Sequence, residues 1–295
     1  MGADPLLLPP LPARPKDAHK GSMGRVLLVA GARGMAGAAA MAAEAVLRGG
    51  AGYVLVATPG GVATELTVLA RSAVLRLCGG PERAFLIRGD LDALLEEAGR
   101  SEAVAVGPGL GTHADTRALV TDFLPRLPAA LPVLVDADGL NALAGSDWER
   151  IGLGPRAVLT PHPGEAARLL QWKDAAAVQA RRSEALAELV GRSGATVVLK
   201  GGGTLVGAPG KEAWRNQTGN PGMATAGTGD VLTGLVAALL ARGMSPWDAA
   251  RLGVHLHGLA GDLAAAELGE ESLIAPDLLH YLPQALRRHP RSPSA

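Results

Sequence analysis

The stretch NPGMATAGTGD, residues 220–230, runs directly into the apolar segment VLTGLVAALLARG. The small residues from Ala226 to Gly229 stand at the front of a helix, where backbone N–H groups lack intrahelical partners and the helix dipole adds partial positive charge. That combination suits an anion, phosphate above all, and the lack of side chains lets it approach the backbone closely. Asp230 follows at once. Like charges repel, so this carboxylate serves something other than the phosphate. It is placed to accept a hydrogen bond from a substrate hydroxyl, orient it, and take its proton as the oxygen attacks a phosphoryl group. The plainer reading is a helix N-cap or first-turn acid, and a lone G-x-G-D does not decide between them. The dipole is expected to keep Asp230 ionised and therefore a weak base, with positioning and charge neutralisation supplying most of the catalysis.

Other clusters could do chemistry. KGGGT (200–204) puts a lysine at a strand end before three glycines, either a second backbone cradle for a nucleotide or a tight hairpin entry; it lacks the spacing of a P-loop. TPHPGE (160–165) carries His162 and Glu165 around a turn. Glu165 could hold Mg²⁺ through water, since that ion keeps several waters and takes few carboxylates, or be an ordinary first-turn acid. His162 could bind a polar substrate or cap the turn. In DADGLNAL (136–143), Asp136 could shape a magnesium and phosphate field, while Asp138 could cap the following helix. GPGLG (107–111) is a turn that would let a flat substrate lie against backbone. GARGMAG (31–37) lacks the G-x-G-x-x-G spacing, and no acidic residue ends the next strand, which argues against a hydride-transfer site. His255 and His257 are two apart on a helix and point to different faces, which argues against a shared metal.

The elements that must position these residues alternate. The runs 25–31, 53–58, 102–109, 132–138, 157–164 and 196–202 are short and almost continuously apolar, as in parallel strands covered on both faces, and helical runs separate most of them. The pattern predicts an α/β fold with a doubly wound sheet. Residues 203–216 read as a hairpin around APGK, followed by helices over 229–242, 246–268 and 275–287. The six unusual clusters all fall at C-terminal strand ends or helix starts, the edge where open α/β sheets bind ligands. Residues 1–18 read as a flexible Pro-rich lead-in, 19–287 as one domain, and 288–295 as a frayed tail.

Lysine plus arginine equal aspartate plus glutamate at 28 each, so bulk charge gives no case for nucleic acid or an anionic membrane. The scarcity of aromatic residues argues against a base-stacking platform. The single cysteine, Cys78, cannot form an internal disulfide and reads as a buried structural thiol. No secretory signal or membrane-length apolar run is seen, which points to a cytoplasmic protein.

As a set, the motifs are familiar. AGTGDVLTGLVAALLARG resembles the anion-hole and catalytic-aspartate segment of the ribokinase-like superfamily. KGSMGRVLLVAGARGMAGAAAMAAEAVLRGGAGYV, GPGLG, VLVDADGLNAL, LTPHPGEAARLL, VVLKGGGTLV and NQTGNPGMATAGTGDVLTGLVAALL resemble, in order, the ADP-dependent NAD(P)H-hydrate dehydratases over about residues 18–285. GTGD indicates only the superfamily; HPGE, GPGLG and NPGMATAGTGD in this order are more specific. The resemblance implies a three-layer ribokinase-like fold, a central mostly parallel sheet flanked by helices on both faces. It implies repair of NADHX and NADPHX, nicotinamide cofactors hydrated at C6, at the expense of ADP (or ATP) with Mg²⁺. It further implies that Asp230 acts on the ring hydroxyl, that Gly227, Thr228 and Gly229 form the anion hole, and that Lys200, Gly201, Gly202, Gly203, Thr204, Asn220 and Gly229 contact the nucleotide. Ala38, Gly109 and His162 would contact the hydrate, with Gly111 a rival to Gly109. A homotetramer is also implied. Many bacterial relatives carry an N-terminal epimerase domain; only about 18 residues precede the first strand here, so the epimerase is expected to be a separate protein or absent, and this chain to act on one epimer only. Two rival readings use the same residues: a superfamily kinase for a hydroxymethyl-pyrimidine, thiazole or pyridoxal alcohol, and a non-catalytic nucleotide sensor.

Overall fold

The apolar runs form strands whose successive side chains enter opposite layers, as the twofold period of a strand requires. The computed structural model describes residues 8–292. Its strands are β1 (Arg25–Val29), β2 (Tyr53–Pro59), β3 (Val74–Cys78), β4 (Ala103–Val106), β5 (Val133–Val135), β6 (Ala157–Leu159), β7 (Thr196–Leu199), β8 (Leu205–Gly207) and β9 (Trp214–Arg215). They form one sheet in the order β3-β2-β1-β4-β5-β6-β7-β8-β9. Pairing is parallel from β3 to β7 and antiparallel for β8 and β9. The helices are α1 (Ala36–Arg48), α2 (Ala63–Leu69), α3 (Leu91–Ala98), α4 (Ala114–Phe123), α5 (Ala137–Leu143), α6 (Pro163–Leu170), α7 (Ala175–Ala180), α8 (Arg182–Ser193), α9 (Thr228–Ala241), α10 (Pro246–Leu268) and α11 (Ala275–Arg288).

Two apolar cores sandwich the sheet. Val26, Leu28, Val54 and Val56 pack with α1, α9, α10 and α11. Leu27, Val29, Leu55 and Ala57 pack with α3, α4, α5, α6 and α8 on the other face. Each fully buried Val or Leu contributes roughly 1.5–3 kcal/mol, which is why these strands tolerate no polar alternation. This is the three-layer arrangement implied by the ribokinase-like resemblance. The hairpin expected around APGK is present as β8 and β9.

The strand order reverses direction between β1 and β4, so a crevice opens at the C-terminal ends of these strands, where ligands bind in such sheets. The strand β3 is an edge strand with Val74 and Leu77 exposed. The sequence shows it only as a strand end before Cys78. That thiol is buried, and burial together with Asp90 pushes it up to about 11.

The ends of the described chain differ from the expected loose lead-in and frayed tail. Leu11 is 3% exposed. Its N–H donates to the Pro290 carbonyl, and the Ser292 N–H donates to the Leu11 carbonyl, both at 2.9 Å. An apolar side chain that reaches the core carries its backbone with it. The rest of the expected lead-in and tail, residues 1–7 and 293–295, lies outside the described residues.

Candidate active site

The helix α9 begins where the sequence places it, and its front is bare. Gly227 is the N-cap at φ +95°, with no side-chain cap. A Cβ there would press on the movable end of Met41, 2.4 Å from its Cε, so it is the backbone sign that favours glycine. The N–H groups of Gly227, Thr228 and Gly229 have no hydrogen-bond acceptor among the described residues. Asp230 occupies the third helical position rather than the cap, and its carboxylate accepts no hydrogen bond from a described side chain or backbone amide. The N-cap alternative is thereby excluded.

Beside this helix start lies a cavity of about 460 Å³. Lys200, Gly201, Gly202, Gly203 and Thr204 line one wall, Thr228 and Gly229 another, and Asn220 the loop between. All the residues expected at a nucleotide therefore meet in one place. The Asn220 side chain is itself committed to that loop: its Nδ2 donates to Asp262 at 3.1 Å and its Oδ1 accepts from the Gly222 N–H at 3.1 Å. Thr204 Oγ1 likewise donates to the Gly201 carbonyl at 3.0 Å.

A charged cluster lies behind the helix start. Lys200 Nζ donates to Asp136 Oδ1 at 2.7 Å and lies 3.9 Å from Glu165 Oε2. Asp136 is 1% exposed, and its Oδ2 accepts from Thr233 Oγ1, one turn along α9 from Asp230, at 2.7 Å. The loop that makes this possible is tight: at Gly107, φ +139°, a Cβ would fall 1.8 Å from the Asp136 carbonyl oxygen. Ala137, next to Asp136, adopts φ +47°, a conformation that costs a non-glycine residue about 1–3 kcal/mol and clusters at functional sites.

The charge state of the cluster corrects one expectation. Burial, with Asp136 next and then Asp138 and Glu165, lifts Asp230 to about 7 against the opposing pull of Lys200. The helix dipole does not hold it in the usual carboxylate range, because desolvation beside three other acids outweighs it. Asp230 is consequently a stronger base than its sequence position implies. Burial also raises Glu165 to about 7, Lys200 opposing. Lys200 itself is raised: burial disfavours its charge, but Asp136 and Glu165 together more than compensate.

His162 caps α6. Its Nδ1 accepts from the N–H groups of Gly164 at 3.0 Å and Glu165 at 3.4 Å, while Glu165 Oε2 accepts the His162 N–H at 2.8 Å. This reciprocal box is the plainer of the two sequence readings, and half of the His162 side chain remains exposed beside it. Among the hydrate contacts implied by the resemblance, Gly109 and Ala38 do come together: a Cβ on Gly109 would stand 3.1 Å from Ala38 Cβ. Gly111 donates its N–H to Asp138 Oδ2 at 2.8 Å, and Asp138 Oδ1 accepts from Asn141 Nδ2 at 3.1 Å. Asp138 therefore ties down the glycine turn and is not the cap of α5, whose N-cap position is Asp136 without a side-chain cap bond.

Among the described residues no group of three or more His, Cys, Asp or Glu is arranged to hold a metal ion. Asp136 does not fit as a magnesium ligand: both its oxygens are engaged, one by an ammonium group at 2.7 Å that would repel a second cation. Glu165 is 4% exposed and fits only a contact through water.

Sequence reasoning missed Asn216, Thr218, His257 and Gly258, which also line the cavity. Thr218 Oγ1 lies within hydrogen-bond reach of Asn216 Oδ1 (3.1 Å) and donates to the His255 carbonyl (2.9 Å). His257 Nε2 lies 2.8 Å from the Thr228 carbonyl. A ligand test by i,i+4 spacing finds no signal here, because the partner is 29 residues away.

Residues 26–284 match the family model described as NAD(P)H-hydrate dehydratase. The chain belongs to that family. Within it, the chain is 44% identical over 277 residues to the bifunctional NAD(P)H-hydrate repair enzyme Nnr of Moorella thermoacetica, covering 94% of this chain and 52% of that protein. The chain thus spans about half the length of the first curated relatives it matches. It is 40% identical over 260 residues to the ADP-dependent (S)-NAD(P)H-hydrate dehydratase of Neisseria meningitidis, covering 87% of this chain and 82% of that one. Among solved structures, the ADP/ATP-dependent NAD(P)H-hydrate dehydratase of Bacillus subtilis, co-crystallized with ATP/Mg²⁺, superposes with a TM-score of 0.77 at 29% identity, over 95% and 94% of the two chains.

Proposed function

We propose that this chain dehydrates (S)-NADHX and (S)-NADPHX to NADH and NADPH, converting ADP to AMP and phosphate. The observation that carries this reading is the pairing of acceptor-free amides at Thr228 and Gly229 with an uncommitted carboxylate, Asp230, at one helix start. The amides would hold the transferring phosphoryl group, and Lys200, close beside Gly229, would neutralise charge on it. Asp230 would accept the proton of the C6 hydroxyl as its oxygen attacks phosphorus. With a value about 7, it is poised between holding and releasing a proton near neutral pH. Phosphorylation turns hydroxide, a poor leaving group, into phosphate. The ring nitrogen lone pair expels it, and loss of a C5 proton restores the dihydropyridine. Ala38 and the turn from Gly109 to Gly111 would offer the ring a backbone surface, and His162 would contact the hydrate from the start of α6.

The ADP requirement follows the N. meningitidis relative by name, and the B. subtilis structure is described with ATP/Mg²⁺. Mg²⁺ would arrive with the nucleotide phosphates, with Glu165 reaching it through water. When bound, it would neutralise phosphate charge. A homotetramer working in the cytoplasm completes the proposal; sedimentation reads the first, and no helix among the described residues is long and apolar enough to cross a membrane.

The test is incubation with ADP, Mg²⁺ and NADHX, following the absorbance of the reduced nicotinamide. Recovery supports dehydration. A stable phosphorylated vitamin precursor without recovery supports the kinase reading, and nucleotide binding without turnover supports the sensor.

A further inference from the structure

The cavity wall opposite Lys200 is formed by α10, and its closeness to α9 has a cause in sequence. At Gly253 a Cβ would stand 2.5 Å from Val236 Cγ2, so the Val236 side chain of α9 packs directly on the α10 backbone at that point. His257 lies one turn further along α10, on the same face. Its Nε2 reaches the Thr228 carbonyl at 2.8 Å. A carbonyl oxygen only accepts, so Nε2 carries the hydrogen and donates. Burial, with Lys200 adding and the Thr228 bond opposing, pushes this ring down to about 4, so the imidazole stays neutral. Its Nδ1 then has a free lone pair, to which no described residue donates.

The carbonyl that His257 grips belongs to the peptide joining Thr228 to Gly229. That unit is planar and trans, so its C=O and its N–H point in opposite directions. Fixing the oxygen fixes the aim of the Gly229 N–H, one of the amides without an acceptor. The Thr228 hydroxyl anchors the same residue from the other side, within reach of the Met223 carbonyl at 3.2 Å and the Thr225 carbonyl at 3.1 Å.

We propose that His257 is a positioning residue for phosphoryl transfer: through the Thr228 carbonyl it orients the Gly229 amide toward the transferring phosphoryl group. This deepens the function proposed above and rests on it. The effect belongs to the transition state, because a small error in the aim of a donor matters most when charge develops opposite it.

Three proteins test the idea: wild type, His257→Met and His257→Gln. Met fills the space without a donor, while the Gln amide nitrogen can occupy the place of Nε2. The expected result for His257→Met is a kcat lower by about 10²-fold with the KM for ADP changed less than about threefold, the size of effect that a misplaced group produces. His257→Gln should recover most of that loss. The ¹⁵N–¹H signal of Gly229 should shift on adding ADP with Mg²⁺ in wild type and His257→Gln, and much less in His257→Met. This second readout needs no turnover, so it decides the role of His257 even if NADHX proves not to be the substrate. Equal kcat and equal Gly229 shifts in all three proteins would overturn the proposal. So would equal losses in both variants accompanied by a lowered melting temperature, the mark of packing alone.

Discussion

Lys200 Nζ sits 2.7 Å from Asp136 Oδ1, and this ion pair stands beside Gly229 at the start of α9. The lysine comes from the end of β7 and the aspartate from the end of β5, so two parallel strands, not a loop, set its position. A buried pair of this kind holds only if its remaining hydrogen-bonding positions are met, and Thr233 meets one of them.

Replacing Thr233 by Val keeps the volume and removes the hydroxyl. Asp136 Oδ2 then loses its partner in a site that is 1% exposed, at a cost of about 1–3 kcal/mol. Denaturant unfolding should show that loss. Turnover should fall more than ADP affinity, since Lys200 no longer faces a fixed partner.

Asp230→Asn should retain ADP affinity by calorimetry and lose at least ~10²-fold in the rate of nicotinamide recovery, the usual scale of a general base. Full activity in this variant would remove Asp230 from the chemistry.

The pH dependence has a definite sign. Asp230 ionises at about 7 in the folded protein against an ordinary 3.8. Between those values the folded state holds the extra proton, so this group costs stability as pH rises through that window. Asp230→Asn should therefore be more stable than wild type, with a gap that widens from pH 5 to pH 8 in unfolding titrations. Under the proposed mechanism catalysis would run the other way: the ionised carboxylate would be the base, so kcat/KM should fall as pH drops below about 7.

Gly229→Ala separates folding from binding. The new methyl would lie 3.4 Å from Lys200 Nζ and 3.9 Å from Asp136 Oδ2. Alanine favours a helix, so the melting temperature should hold or rise. The methyl would crowd Lys200, the group proposed to neutralise the phosphoryl charge, and ADP affinity should weaken about tenfold or more, equivalent to about 1.4 kcal/mol.

Magnesium should bind with nucleotide and not before it. Calorimetry of the free protein should show no Mg²⁺ site in the micromolar range, given the absence of a metal-holding cluster among the described residues. Chelation should abolish turnover in the presence of ADP.

Much of this was legible in the chain. Central strands advertise themselves because burial on both faces forces continuous Val, Leu and Ala. The strand β3 does so less clearly, because the exposed Arg76 interrupts its apolar run. The bare helix start was legible because a run of small residues from Ala226 to Gly229 offers it no side-chain cap. The basicity of Asp230 was not: it depends on Asp136, Asp138 and Glu165, which reach it only through the sheet edge. Asp136 read as a metal ligand from its type alone; only its neighbours show it committed to an ammonium and a hydroxyl. His257 drew notice only as half of a metal pair, because its hydrogen bond joins two helices and leaves no mark in local spacing.

The bridge between Leu11 and Arg291 has an architectural consequence. Arg242, just past the far end of α9, donates to the Pro12 carbonyl, so the two joined ends of the described chain sit by the tail of the helix whose front lines the candidate site. At 1.5 Å per residue, the 14 residues of α9 set them roughly 20 Å apart. A reporter group attached near Leu11 or Arg291 would therefore stand clear of the cavity mouth, and a change made there should leave nucleotide affinity untouched.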